Sequence, residues 1–104
     1  MEKPRRLVKV QNVLSRARAA IREGRFVISQ HAWQRQRDRA INYFDILRVL
    51  NTGYHEVKKD EYKPEYNSWN YAIRGKTGGL ISARICVAFD KDMMVVVTVT
   101  RVDG

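Results

Sequence analysis

The sequence is short of cysteine, of long apolar runs and of acidic charge. The first two shortages each exclude a class of protein. One cysteine, Cys86, stands among 104 residues, so no disulfide forms within the chain and it is not a small disulfide-stapled domain. The N-terminus lacks the apolar run of roughly 7–15 residues that a secretory signal requires. No segment approaches the roughly 20 apolar residues of a membrane span. We therefore expect a cytoplasmic protein with no part in a membrane.

Length and composition indicate one folded domain. The chain is 44% hydrophobic and 30% charged, as is typical of a globular protein rather than a disordered one. A chain of 104 residues can build one core in which helices cover a sheet, but not two independent cores. We predict a single domain over residues 1–104.

The positive charge is concentrated in the first half of the chain. The net charge is +9, of which residues 1–48 contribute +8 and residues 49–104 contribute +1. Thirteen of the twenty cationic residues are arginine, whose planar guanidinium binds phosphate bidentately and stacks on bases. This distribution favours a nucleic acid, RNA above all, as the partner. A surface that serves only solubility and a surface that binds an acidic protein are the alternatives.

Apolar spacing and capping residues predict three helices in the first half. The first helix is predicted from apolar residues at a spacing of three and four: Leu7, Val10, Leu14, Ala17 and Ile21. It runs to about Glu23 and ends at Gly24. Residues 26–28 form a short strand or an extended link, after which Ser29 caps a second helix over residues 30–39.

A third helix begins at Asn42, with Asp45 in its first turn, and ends at Gly53. Its buried stripe is predicted to be Tyr43, Ile46, Leu47 and Leu50.

Alternation of apolar and polar residues predicts four strands in the second half. They lie near residues 54–62, 69–75, 80–89 and 94–102, separated by short turns. Connections this short predict an antiparallel meander. The expected fold is therefore α+β, with N-terminal helices packed on a four-stranded antiparallel sheet that one extra short strand can extend.

The same alternation predicts which residues share a face of the sheet. In the last strand, Val95, Val97 and Val99 are expected on one face, and Val96, Thr98 and Thr100 on the other. A polar sheet face is predicted from residues of three strands: Asn70, Arg74, Ser82, Arg84, Thr98 and Thr100.

The second helix carries the densest group of chemically active side chains. His31, Arg35 and Arg39 are spaced four apart, so they form one stripe that advances roughly 6 Å per step, similar to the separation of neighbouring phosphates. A histidine among guanidinium groups is biased towards its neutral form, which accepts a proton. The alternative is a solvated helix face whose arginines pair with Asp38 and Asp45, with His31 capping or packing at the strand–helix junction.

The run FVISQHAWQRQRDRAINYFDILRVLNTG, with the later WNYAIRGKTGG and VVVTVTRV, resembles a bacterial domain family of unknown function with an HA-x-x-R-x-x-x-R motif. That family resembles the RelE-like toxins of the barnase, EndoU, colicin and RelE group. Such toxins are small ribonucleases encoded beside an antitoxin, in which helices precede a curved antiparallel sheet whose open face holds RNA. His31, Arg35 and Arg39 match the motif, although Ala40 stands where relatives usually carry glycine, and Thr98 matches the closing strand.

The resemblance implies a toxin-like endoribonuclease that cleaves RNA, including ribosome-bound mRNA, and is covered by a cognate antitoxin. Metal-free cleavage requires a base, an acid and cations where phosphoryl charge grows. The predicted catalytic residues are His31 as base or acid, Arg35 and Arg84 as cations, and Thr98 to orient the phosphate. The predicted RNA-binding residues are Arg39, Asn70, Arg74, Lys76 and Thr100.

We expect no metal and no cofactor, because the acidic residues form no convincing divalent-metal cluster. Two other functions use the same charges: a non-catalytic RNA- or ribosome-binding module, and a domain that binds an acidic protein partner.

Overall fold

The computed structural model describes residues 8–102, and within this range it describes residues 35–39 by their backbone alone. The elements in chain order are α1 (Val13–Arg22), β1 (Phe26–Ile28), α2 (Gln30–Arg39), α3 (Tyr43–Thr52), β2 (Tyr54–His55), a 3₁₀ turn (Val57–Lys59), β3 (Glu61–Lys63), β4 (Ser68–Lys76), β5 (Ser82–Asp90) and β6 (Met93–Arg101). The α+β class is confirmed. No helix among the described residues is long and apolar enough to cross a membrane.

Side-chain caps set the beginnings of α2 and α3, as the sequence predicts. The Ala32 N–H donates to the Ser29 hydroxyl at 3.1 Å. At α3, the Asp45 N–H donates to the Asn42 side chain at 2.8 Å, and the Asn42 N–H donates to the Asp45 carboxylate at 3.1 Å. This reciprocal capping box satisfies two amide groups that a helix start otherwise leaves unpaired.

Gly53 ends α3 because the helix meets β4 there at very close range. A Cβ at this position would lie 2.4 Å from the Arg74 carbonyl oxygen, so only glycine permits the approach. The Arg18 guanidinium donates to the carbonyls of Leu50 and Gly53 at 3.1 and 2.9 Å. Together these contacts fix the end of α3 between α1 and the sheet.

The first helix is shorter than its apolar spacing predicts. It begins at Val13, because the Val10 N–H donates to the Tyr71 hydroxyl at 2.8 Å and Asn12 takes a left-handed conformation with φ 56°. Leu7 lies outside the described residues. The predicted end is confirmed, since Gly24 follows the helix with φ +68°.

The sheet is mixed and six-stranded, not a four-stranded antiparallel meander. Its order is β1-β6-β5-β4-β2, with β3 also paired to β4. The segment at residues 26–28 is a strand, and it runs parallel to β6. The pairing of β4, β5 and β6 is antiparallel, as predicted.

The strand predicted over residues 54–62 is broken into β2, the 3₁₀ turn and β3. At this gap the Ala72 carbonyl accepts from the Glu56 N–H at 2.8 Å, and the Ala72 N–H donates to the Asp60 carboxylate at 2.9 Å. Both backbone groups of Ala72 in β4 are thus hydrogen-bonded, although no continuous strand runs beside it. The break places Glu56 at the edge of the sheet.

A bulge in β6 overturns the predicted facing of its valines. Val96 pairs with Val87 and Thr98 pairs with Cys86, so Val97 is an extra residue between them. Val96 and Val99 are both buried, which contradicts the single alternation in which Val97 and Val99 share a face. After the bulge, Thr98 and Thr100 lie on the face opposite the core, as predicted.

The helices pack on one face of the sheet. The largest fully buried apolar side chains are Ile41, Ile46, Val49, Leu50, Ile73, Ile85, Val87, Met94, Val96 and Val99. In α3 the buried stripe is Ile46, Val49 and Leu50, whereas the predicted Tyr43 and Leu47 are half-buried. The opposite face, here called the open face, carries Asn70, Arg74, Ser82, Arg84, Cys86, Thr98 and Thr100.

Candidate functional site

Strand register brings four of the predicted site residues into two neighbouring rows of the open face. Arg74 pairs with Arg84, and Arg84 pairs with Thr100. In the next row, Cys86 pairs with Thr98. Directly opposed residues of antiparallel strands have Cβ atoms about 5 Å apart, so the two guanidinium groups and the two hydroxyl groups form one polar cluster.

Glu56 lies between the two arginines of the open face and was not predicted as a site residue. Its Oε1 accepts from Arg84 Nε at 2.7 Å, and its Oε2 accepts from Arg74 Nη1 at 3.4 Å. The three side chains are 15–25% exposed. We call them the arginine–glutamate cluster.

The hydrogen bond from Arg84 lowers the pKa of Glu56, and Arg74 adds to this effect against the opposing effect of burial. The same bond raises the pKa of Arg84. Glu56 is therefore an ionised carboxylate at neutral pH, held by two cations on an accessible sheet face. A clue in the sequence was the pair of arginines expected on adjacent strands, since half-buried cations require a carboxylate partner.

Cys86 lies beside this cluster, and its thiol has low reactivity at neutral pH. Burial raises the pKa of its thiol, and a hydrogen bond with Thr98 and the charge of Arg84 oppose the shift only in part. The thiol is therefore protonated at neutral pH.

A groove of about 520 Å³ lies at one end of the open face. It is lined by Tyr54, Arg74 and Lys76, among others. The Lys76 ammonium donates to the Ser82 hydroxyl at 2.8 Å. The predicted RNA-binding residues Arg74 and Lys76 therefore share this basic end.

A larger groove of about 820 Å³ lies at the other end, near the β3–β4 and β5–β6 turns. The predicted RNA-binding residue Asn70 lines it. Asn70 is thus on the same face as the arginine–glutamate cluster but apart from it along β4.

The predicted helical stripe lies on a different element from the cluster. His31 is exposed in the first turn of α2, whereas the bonds that hold the cluster join residues of β5, β4 and the segment after β2. The neighbouring Ala32 is buried in the core. The side chains of Arg35 and Arg39 lie outside the described part of the chain, so their predicted roles stay predictions.

A second polar cluster, also missed by sequence reasoning, surrounds Asp60. Its side chain is 1% exposed and accepts from Lys9 Nζ at 2.6 Å and His55 Nε2 at 2.8 Å, besides the Ala72 N–H. The His55 ring packs against Tyr71 on the core side of the sheet. This cluster fastens the segment before α1 to the irregular sheet edge, so its role is structural.

Comparison with known proteins places the chain in one family. A model of a domain of unknown function, DUF4258, matches residues 28–101, which run from the end of β1 to the end of β6. No curated protein and no solved structure matches the chain. The match leaves out α1 and covers the helix with the HA-x-x-R-x-x-x-R motif and nearly the whole sheet. Because it spans well over half of the chain, the protein belongs to the DUF4258 family.

Proposed function

We propose that the open face binds RNA and cleaves it by attack of a 2′-hydroxyl on the adjacent phosphate, as a toxin-like endoribonuclease. The observation that carries this proposal is the arginine–glutamate cluster on a sheet face that the helices leave uncovered, in a chain of net charge +9. An ionised carboxylate accepts a proton, and guanidinium groups at the same place stabilise phosphoryl charge.

The proposed step uses Glu56 as the base. The 2′-oxygen bonds to phosphorus while its proton passes to the Glu56 carboxylate, and the 5′-oxygen leaves with a proton from an acid. The products are a 2′,3′-cyclic phosphate and a 5′-hydroxyl. Water is left as the acid, because His31 lies on α2 and the helices pack on the opposite face of the sheet.

The Arg84 guanidinium retains donors for a phosphate. The bond to Glu56 uses one of the five donors of the Arg84 guanidinium, so the same group can also donate to a phosphoryl oxygen. Thr98 and Thr100, two residues apart on β6, add hydroxyl donors on the same face. Lys76 and Arg74 extend the positive charge towards the neighbouring groove.

In this proposal the partners are RNA, including ribosome-bound mRNA, and an antitoxin whose acidic segment covers the open face. The protein then acts in the cytoplasm without a metal.

The test is RNA cleavage by purified protein in the presence of a chelator, with 2′,3′-cyclic phosphate ends measured by mass spectrometry. We expect Glu56→Gln to lower the rate about 100- to 10,000-fold, the range of general base catalysis. His31→Ala and Arg84→Gln are tested in parallel. Arg48→Gln is the charge-matched control, because Arg48 is exposed on α3. Undiminished cleavage by Glu56→Gln would remove the carboxylate from the mechanism.

A non-catalytic RNA-binding module is the second candidate. It is favoured by the double engagement of Glu56, because a carboxylate held by two arginines is also what a purely structural ion pair provides. Both candidates predict that the logarithm of RNA affinity falls linearly with the logarithm of salt concentration. Binding of this kind without cyclic phosphate ends supports the module, and absence of RNA binding supports an acidic protein partner instead.

A further inference from the structure

The larger groove of the open face is floored by small apolar side chains. Ala88 of β5 and Val95 of β6 are strand partners, and both line the groove together with the extra residue Val97. Its polar lining on β4 comes from Ser68 and Asn70.

An aromatic side chain stands at the rim of the groove. Tyr66 belongs to the turn between β3 and β4 and is 78% exposed, although it lines the groove. The turn is fixed by backbone bonds from the Tyr66 N–H to the Lys63 carbonyl and from the Asn67 N–H to the Pro64 carbonyl. An aromatic ring presented in this way offers a stacking surface that is not used by the core.

The charges around the groove favour a neutral occupant. Two lysines, Lys63 and Lys91, are balanced by two carboxylates, Glu65 and Asp90. Lys63 is further paired with Glu61, with Nζ 2.8 Å from Oε1. A phosphate would meet no net positive charge here, whereas a flat, neutral group with polar edges would meet an apolar floor and amide, hydroxyl and carboxylate partners.

The groove and the arginine–glutamate cluster lie on the same face of the sheet, at different places along the strands. Ala88 lies four residues after Arg84 on β5, which is about 13 Å at 3.3 Å per residue. A single RNA strand whose phosphate lies at Arg84 can reach this far with the base of a nearby nucleotide.

We propose that this groove is a nucleobase subsite, in which Tyr66 stacks on one base of a single-stranded RNA and Asn70 and Ser68 bind its polar edge. The inference rests on the proposed function, because the phosphate of the same strand is assigned to the arginine–glutamate cluster. It adds a base-binding site, set by the β3–β4 turn, to a face otherwise defined by phosphate contacts.

The test is the affinity for a five-nucleotide RNA with 2′-O-methyl sugars, which has no free 2′-hydroxyl and so binds without being cleaved. Stacking of one base on one aromatic residue is worth about 1–3 kcal/mol, so Tyr66→Ala should weaken binding about 5- to 150-fold. Tyr66→Phe keeps the ring and should bind within about twofold of the unaltered protein. Phe44→Ala is the matched control, because Phe44 is a similarly exposed aromatic residue on α3.

A set of oligonucleotides, each lacking one base, identifies the occupant. The oligonucleotide without the stacked base should bind the unaltered protein and Tyr66→Ala equally, since the ring then has no partner. If the unaltered protein binds RNA but Tyr66→Ala binds it equally well, the subsite is wrong while RNA binding stands. The same conclusion follows if Tyr66→Ala lowers the affinity for every abasic oligonucleotide by the same factor. If the unaltered protein binds no RNA, the proposed function fails first.

Discussion

Arg84 Nε lies 2.7 Å from Glu56 Oε1, and this bond reaches from the central strand β5 over β4 to the segment after β2. The pair therefore does two things at once. It ties the irregular edge of the sheet to its centre, and it keeps a carboxylate ionised on the open face.

The pH dependence of cleavage should respond to Arg84. The Arg84 hydrogen bond is the largest cause of the lowered pKa of Glu56, so Arg84→Gln should raise this pKa. Since the base must be ionised, the acid limb of the rate–pH profile should move to higher pH in the variant. The profile is measured from about pH 4 to 9, and Arg48→Gln should leave the limb in place. A limb that does not move in Arg84→Gln contradicts Glu56 as the titrating base.

Folding stability should depend on pH through the same carboxylate. The pKa of Glu56 is lower in the folded protein than its ordinary value of 4.5, so its contribution is present above that value and is lost as the pH falls through the folded pKa. Glu56→Gln should therefore be less stable than the unaltered protein at pH 7, and the difference should shrink below pH 4.5. Urea unfolding at a series of pH values measures it, and a difference that is constant with pH would argue against this linkage.

Loss of the Asp60 carboxylate should destabilise the fold strongly. Asp60→Ala leaves Lys9, His55 and the Ala72 N–H without their common acceptor, and we expect a loss of about 2–4 kcal/mol in the free energy of unfolding. Urea unfolding followed by circular dichroism measures the loss. Glu65→Ala, which removes an exposed carboxylate, should change stability by less than about 0.5 kcal/mol. Equal effects of the two variants would show that the buried Asp60 cluster stabilises the fold no more than an exposed carboxylate does.

Gly53 should tolerate no larger residue. The Cβ of Gly53→Ala would lie 2.4 Å from the Arg74 carbonyl oxygen and 2.6 Å from the Val49 carbonyl oxygen, so α3 must move away from β4. We expect the free energy of unfolding, measured by urea unfolding, to fall by about 3 kcal/mol or more. Gly79→Ala is the control, because its nearest neighbour, Thr77 Oγ1, is 3.8 Å away. A Gly53→Ala protein as stable as the control would contradict this packing.

The Cys86 thiol should react slowly at neutral pH. Burial raises its pKa above the ordinary value of 9.0, and the thiolate is the reactive form. Reaction with a disulfide reagent, followed by absorbance, should be much slower than that of a free cysteine at pH 7.5 and should accelerate only above pH 9.0. A rate at pH 7.5 equal to that of free cysteine would show that the thiol is neither buried nor raised in pKa.

Features set by neighbouring residues were predictable from the sequence. The caps at Ser29 and Asn42 and the helix end at Gly24 depend on bonds or conformations within a few residues, so their signals are local. The facing of Arg74 and Arg84 followed from simple alternation, because β4 and β5 pair regularly through this region.

Features set by distant residues were not predictable. The pairing of β1 with β6 joins the first and the last strand of the chain, which are far apart in sequence. The bulge at Val97 occurs within a run of valine and threonine that carries no glycine or proline to mark it. The role of Glu56 depends on the break between β2 and β3, which Asp60 makes possible by bonding to Ala72. The stripe of His31, Arg35 and Arg39 on α2 was predicted from residue spacing, and it stays a prediction because the structure describes Arg35 and Arg39 by their backbone alone.

During synthesis, the sheet cannot close until the chain has been made to Arg101, because β6 lies between β1 and β5. The Ser29 hydroxyl and the Val97 carbonyl that it bonds are 68 residues apart, and contacts over such separations form late because the intervening loop must close first. Thr98 and Thr100 belong to this last strand. A nascent chain therefore carries no complete open face while β6 is still inside the ribosome, and the translating ribosome meets the finished surface only after the strand has emerged.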